Sequence, residues 1–292
     1  MSELASACRL ALGECLATRA GDTVLIVTDT ELQSIGEAFF QAARDLEAEA
    51  SVITMLPREN HGVEPPEAVA AAMVKSLVVV LATSRSLSHT RARRAASAAG
   101  ARIASLPGAT AGMLQRTLAV DYRSLAAECK RFAAILTAGS QVRLTTPAGT
   151  DLTFSIAGRR GYPDTGLYRQ PGDFGNLPAG EAYIAPREGT ARGVLVIDGA
   201  LAGFGVLEKP LRIKVEAGQA VAVSGGREAG CLEDIFHRYG PASRNIAELG
   251  IGLNPLARLS GNVLEDEKVR GTVHIALGDN SNFGGQVEAP SH

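Results

Sequence analysis

The chain has almost no net charge: 29 Lys and Arg stand against 31 Asp and Glu, a formal balance of −2. Nothing in that balance would draw it to nucleic acid or to an anionic membrane surface, so neither is expected as a partner. It lacks any run of 18 apolar residues, so no membrane span is expected. Cysteines are few. Cys8, Cys15, Cys129 and Cys231 form no CxxC pair. The opening MSELASACRLALGECLATR has an amphipathic helical pattern with acids and arginines, not the apolar stretch of a secretory signal. A reduced, cytoplasmic protein is the expectation. No internal repeat is evident.

Hydrophobic residues make up 46% of the chain and charged residues 21%, a globular balance, and 292 residues suffice for one large domain or two ordinary ones. The 32 glycines collect in the second half, which must be rich in turns or close backbone approaches.

Ala5, Cys8, Leu12, Cys15 and Leu16 fall near helical spacing and predict a first helix. TVLIVTD (23–29) reads as a buried strand. Thr30 is placed to cap a helix over about 31–47. ASVITM (50–55) and SLVVVLATS (76–84) read as further strands with a helix before the latter. HTRARRAASAAG is a helix ending at Gly100, ARIASLPG a fourth strand, and 121–138 a long helix. Apolar strands alternating with helices predict a parallel sheet covered on both faces. Residues 1–138 therefore read as a Rossmann-like α/β domain. No GxGxxG follows its first strand, so a dinucleotide site is not expected. Ligands of open parallel sheets lie beyond the strands' carboxyl ends. ATSRSLSHT ends the third strand, which makes Arg85 and His89 candidate substrate-binding residues. The plainer reading has Ser88 capping the next helix and His89 on the surface.

Residues 139–292 change character. QVRLTTPAGTDLTFSIAG alternates around a Pro-Ala-Gly turn and reads as a hairpin. RGVLVIDGAL, LRIKVEAGQAVAVSGG and VRGTVHIALG add strands, with one helix over about 227–239. The expected architecture is α/β plus α+β, with a β-rich C-terminal domain carrying a metal site. EDEK (265–268) reads as a solvated turn for at least three of its four residues, and RRGYPDTGLYRQPGDFGN as a surface or covering loop.

A metal site needs anionic or imidazole ligands on rigid backbone. Glu181 follows Pro178 and Gly180; Glu248 lies in Ala-Glu-Leu-Gly-Ile-Gly; His274 sits mid-strand on the face of Thr272 and Ala276; His292 ends the chain. Taken singly, a Glu after a Gly turn also fits an exposed position, and a strand His a satisfied core position.

GNLPAGEAYIAP, RNIAELGIGLNP, EDEKVRGTVHIALG and the terminal SH, in that order over about residues 140–292, resemble the aminopeptidase T-like metallo-aminopeptidases. That resemblance implies a cytoplasmic homodimer that acts on peptides. It implies two divalent ions (zinc or cobalt, or manganese) held by Glu181, Glu248, His274 and His292, with Glu248 as ligand or base to a metal-activated water. Two departures stand out. The family's Tyr seven residues after the strand His is Ser281 here. The final His-x-Asp motif stops at His292, so the sequence is expected to be cut before the last acid. The dihydroxypyridine ring-cleaving dioxygenases are similar in architecture and use a single Fe(II) held by two His and a carboxylate. They are the alternative, with His89 matching an N-terminal acid/base histidine and Glu248 standing where an iron-binding His is expected. A catalytically inactive homologue is the third reading.

Overall fold

The structure, a computed structural model, describes residues 3–290. The chain forms two compact units. One comprises residues up to Ala126 with Asp164–Ala179 and Asn254–Ala257; the other comprises Ala127–Pro163, Gly180–Leu253 and the residues from Arg258 onward.

The first unit is built on a five-stranded sheet whose neighbouring strands all run parallel. Its order is Glu49–Met55, Thr23–Asp29, Val78–Ala82, Arg102–Ser105 and Phe174–Asn176. Val78 to Ala82 are all fully buried, as are Ile26 and Val27 beside them. This is what near-continuous apolar strands require: both faces are covered, so both sets of side chains are inside. On one face Leu25, Val27, Val79, Leu81 and Ile103 pack with Val69 and Met73 of helix Glu67–Val74 and with Ala92 and Ala96 of helix Arg91–Ala98.

Helix starts differ from the simplest sequence expectation. Thr30 caps nothing. Asp29 Oδ1 instead accepts from the N–H groups of Glu31 and Leu32, both at 3.1 Å, ahead of helix Gln33–Asp45. Ser88 does not cap helix Arg91–Ala98; Thr90 accepts from Arg93 N, while Ser88 Oγ bonds Ser105 Oγ at 3.0 Å. The first helix is shorter than expected, Glu3–Leu10, and passes into one π turn over Ala11–Cys15. The stretch 160–175 is no loose covering loop. It contributes the edge strand Phe174–Asn176, and Tyr168 is buried with its hydroxyl 2.7 Å from both Asp164 Oδ1 and Asn176 O.

The second unit contains antiparallel sheets. Gln141–Thr145 and Asp151–Ser155 form the expected hairpin, continued by Arg192–Ile197, Leu211–Glu216 and Gln219–Ser224. Leu211, Ile213 and Val215 are buried while Arg212, Lys214 and Glu216 are exposed, the period-2 signature of a sheet with one wet face. Helix Arg227–Tyr239 buries Leu232 and Phe236. A second sheet orders Val273–Leu277, Ile246–Gly252, Glu181–Ile184 and Tyr162–Asp164. Among the described residues, no helix is long and apolar enough to cross a membrane.

Asp29 joins two neighbouring strands at their carboxyl ends. Besides its two bonds toward the helix, its Oδ2 accepts from Ser84 N at 2.6 Å and Ser84 Oγ at 2.7 Å, and it is fully buried. Replacing Asp29 by Ala orphans these donors at once. The expected cost is about 2–4 kcal/mol of unfolding free energy, read from urea denaturation; a change within about 0.5 kcal/mol would show that the contacts carry no weight.

Candidate metal centre

Strand Ile246–Gly252 carries two faces of opposite character. Ala247 and Leu249 are buried in the apolar interior. Glu248, Gly250 and Gly252 alternate onto the other face. Gly250 pairs with His274 on one neighbouring strand and Tyr183 on the other, and Gly252 pairs with Glu181. The register therefore puts Glu181, Glu248 and His274 on one face of one sheet.

The two glycines explain why those groups can meet. A side chain at Gly250 would place its first carbon 2.0 Å from His274 Cε1, so the imidazole lies over the bare backbone. One at Gly252 would meet Val269 O at 2.1 Å and Lys268 C at 2.9 Å. The loop before the His274 strand therefore rests directly on Gly252, next to Glu181.

Glu181, Glu248 and His274 each offer one ligand atom, all within 4.8 Å of one another. His274 Nε2 lies 3.1 Å from Glu248 Oε1 and 3.4 Å from Glu181 Oε2. Both carboxylates are buried, at 7% and 8% exposure. Glu181 Oε1 takes a hydrogen bond from Lys268 Nζ at 2.5 Å, while its Oε2 is buried without a hydrogen-bond donor. An orphaned buried carboxylate oxygen aimed at an imidazole and a second carboxylate fits a divalent cation. His292, the fourth expected ligand, lies outside the described residues.

Electrostatics at the cluster are set by burial and by like charges. Burial pushes the Glu181 carboxyl up to about 7, with Glu267 and Glu248 adding to the rise and Lys268 and His274 opposing it. Burial works against charge on His274, but the Glu248 hydrogen bond and the charges of Glu181, Glu267 and Glu248 outweigh it and raise the imidazole to about 9.

Lys268 is the residue the sequence did not reveal. Two of the four residues of EDEK are not solvated: Glu265 and Lys268 are each 1% exposed. Glu265 accepts from Arg258 N at 3.0 Å, and Lys268 also bonds Glu267 Oε2 at 3.1 Å. A charge run carries no sign of such burial, because the partner is Glu181, 87 residues away. Ser281 is exposed, with its hydroxyl on Asp279 Oδ1 at 3.0 Å. In the other unit, Arg85 is half-buried after strand Val78–Ala82. His89 is exposed, and its carbonyl accepts from Arg94 Nη1 at 2.7 Å.

A family model described as NicX, 2,5-dihydroxypyridine 5,6-dioxygenase, matches residues 3–292. A 2,5-dihydroxypyridine 5,6-dioxygenase of Pseudomonas putida (strain KT2440) is 25% identical over 183 residues, 58% of this chain and 51% of that protein. The alignment thus spans about half the length of this curated relative. The solved 2,5-dihydroxypyridine dioxygenase from P. putida KT2440 superposes with a TM-score of 0.81 at 20% identity, over all of this chain and 91% of its own. AmpT from Thermus thermophilus superposes with a TM-score of 0.64 at 17% identity, covering 94% of this chain and 85% of its own. At such identities both likenesses are of fold. The family match overturns the expectation of a leucyl-type peptide hydrolase; what the chain shares with AmpT is architecture.

A cation must displace the proton from His274 below about 9 and from Glu181 below about 7. Metal affinity should rise about tenfold per pH unit between 7 and 9 and more steeply below 7, measured by chelator competition; a flat profile would exclude these ligands. The metal-free fold should respond in the opposite sense. His274, raised above its unfolded value, stabilises fully below about 6.5 and loses that contribution as pH rises through about 9. Lys268→Met should cost about 1–3 kcal/mol in urea denaturation, because it removes the donor to Glu181 Oε1 and leaves a buried carboxyl that takes up a proton. It should also weaken metal binding at pH 7 by about 10–100-fold, read by calorimetric titration.

Proposed function

The chain belongs to the NicX family, 2,5-dihydroxypyridine 5,6-dioxygenase, and from that premise we propose that it is a mononuclear Fe(II) dioxygenase that opens a hydroxylated pyridine-type ring. The observation that carries this reading is the match of the family model over residues 3–292 together with a buried carboxylate–imidazole cluster inside the matched span.

Glu181 Oε2, Glu248 Oε1 and His274 Nε2 are the atoms that would hold the ion. Bound there, Fe(II) supplies the one-electron chemistry that lets dioxygen react with an electron-rich ring. The set differs from the two-histidine, one-carboxylate arrangement in having a second carboxylate where a histidine was expected. Lys268 offsets part of that difference through its ion pair with Glu181, a charge it shares with Glu267. The mixed donor set suits a divalent first-row metal, and a single ion matches the three converging atoms.

The chain's own groups do the rest. Lys268 fixes Glu181 by one oxygen and leaves the other for the cation. Glu248 and His274 share a contact at 3.1 Å, so the imidazole is oriented before any ligand arrives. The burial of both carboxylates keeps bulk water from competing for the cation.

The test is reconstitution under anaerobic conditions with Fe(II), then addition of 2,5-dihydroxypyridine and oxygen. Oxygen uptake matched to loss of the ring's ultraviolet absorbance is expected, with one iron per chain. His274→Ala should lower iron content and turnover by about 100-fold or more with the fold intact. Iron-loaded protein that consumes no oxygen with any hydroxypyridine would refute the reading, and two ions per chain would refute its mononuclear form.

A further inference from the structure

Aromatic residues are scarce in this chain, at 4% of the total. Three of them nevertheless gather on the sheet that carries the metal-centre cluster. Tyr183 lies two residues after Glu181 and shares its strand face. It pairs with Gly250, whose other neighbour is His274, so Tyr183, Gly250 and His274 form one cross-strand row. Tyr162 stacks on Tyr183 with ring centroids 5.6 Å apart and planes 21° from parallel. Phe283 meets Tyr183 from another direction, at 5.8 Å and 75°. All three are half-buried. Arg160 lies over the Tyr162 ring, 5.1 Å from its centroid.

The loop bearing Phe283 is held in place. Asn280 is fully buried, donates to Glu188 Oε1 at 3.1 Å, and accepts from Val287 N at 2.9 Å. Asp279 accepts from the N–H groups of Ser281 and Ala289, both at 3.1 Å. Gly285 is bare because Asn280 fills the space where a side chain would go. The backbone that bears Phe283 is thus anchored on both sides of it.

Rings set at 75° match the two geometries that aromatic quadrupoles favour, stacking on a face and meeting edge-on. We propose that Tyr183 and Phe283 form an aromatic corner, backed by Tyr162, that seats the flat heteroaromatic ring of the substrate beside Glu181, Glu248 and His274. This rests on the ring-cleaving function proposed above. The corner selects for planarity, so saturated rings bearing the same hydroxyl groups are rejected. It assigns ring recognition to stacking and leaves the charged cluster to the cation.

The experiment uses the Fe(II)-loaded full chain without oxygen and titrates it calorimetrically with 2,5-dihydroxypyridine and with cyclohexane-1,4-diol. Wild type should bind the pyridine and bind the saturated diol at least about tenfold more weakly. Tyr183→Leu and Phe283→Leu should keep wild-type iron content and lose about three- to tenfold in pyridine affinity, with KM rising by the same factor and kcat changing less. The conservative Tyr183→Phe should restore binding, since the ring and not the hydroxyl is required. Equal affinity for the planar and saturated ligands overturns the corner without recourse to any variant. Unchanged pyridine affinity in iron-replete Leu variants overturns it as well. Wild-type turnover with unchanged KM in the Leu variants sinks the corner and leaves ring cleavage standing. Leu-sensitive binding without turnover sinks ring cleavage and leaves the corner standing.

Discussion

A lysine at 1% exposure holding a carboxylate at 7% is the contact on which the candidate metal centre depends. Neither charge could stay buried alone, since each would shift its protonation until it was neutral. Together they keep Glu181 in one orientation, with one oxygen committed and the other bare. That bare oxygen is what makes the three polar side chains a candidate cation site. Without the lysine, burial alone would leave Glu181 protonated at neutral pH, and the cluster would lose an anionic ligand.

That contact in turn rests on missing side chains. Gly252 lets the Lys268–Val269 backbone settle against the sheet opposite Glu181, and Gly250 lets the His274 ring lie across its strand. Both glycines sit two residues apart on the face of Glu248, so a single strand supplies one ligand and the space for two other groups. The downstream Asn-Pro has a separate task. Asn254 is fully buried and donates to Ala179 O at 2.9 Å, within the unit that contains the parallel sheet.

Family and fold say different amounts about function. Two solved structures share this architecture, one a dihydroxypyridine dioxygenase and the other AmpT, so the arrangement of sheets does not choose between oxygen chemistry and hydrolysis. The family match overturns the peptide-hydrolase expectation that the sequence motifs carried. Those motifs, GNLPAGEAYIAP and AELGIGLNP, hold the strand faces and close approaches on which Glu181, Glu248 and His274 meet in this chain.

Sequence alone was enough for whatever depends on local period and composition. The apolar run around Val78–Ala82 could only be a strand covered on both sides, the alternation in Leu211–Glu216 only one with a wet face, and the helix Arg227–Tyr239 followed from its spacing. Glu181, Glu248 and His274 were legible as candidates because their surroundings were unusual: prolines, glycines and a polar residue inside an apolar strand. Tertiary structure alone decided what depends on partners distant in the chain. The burial of Lys268 against Glu181 is invisible in a charge run. The edge strand Phe174–Asn176 joins a sheet whose other strands end by Ser105, and its neighbour Arg102–Ser105 cannot announce it. The meeting of Tyr183 with Phe283 joins residues 100 positions apart. Local pattern fixes which face a side chain takes, whereas a buried charge or an aromatic contact exists only once the register of separate strands brings its partner within reach.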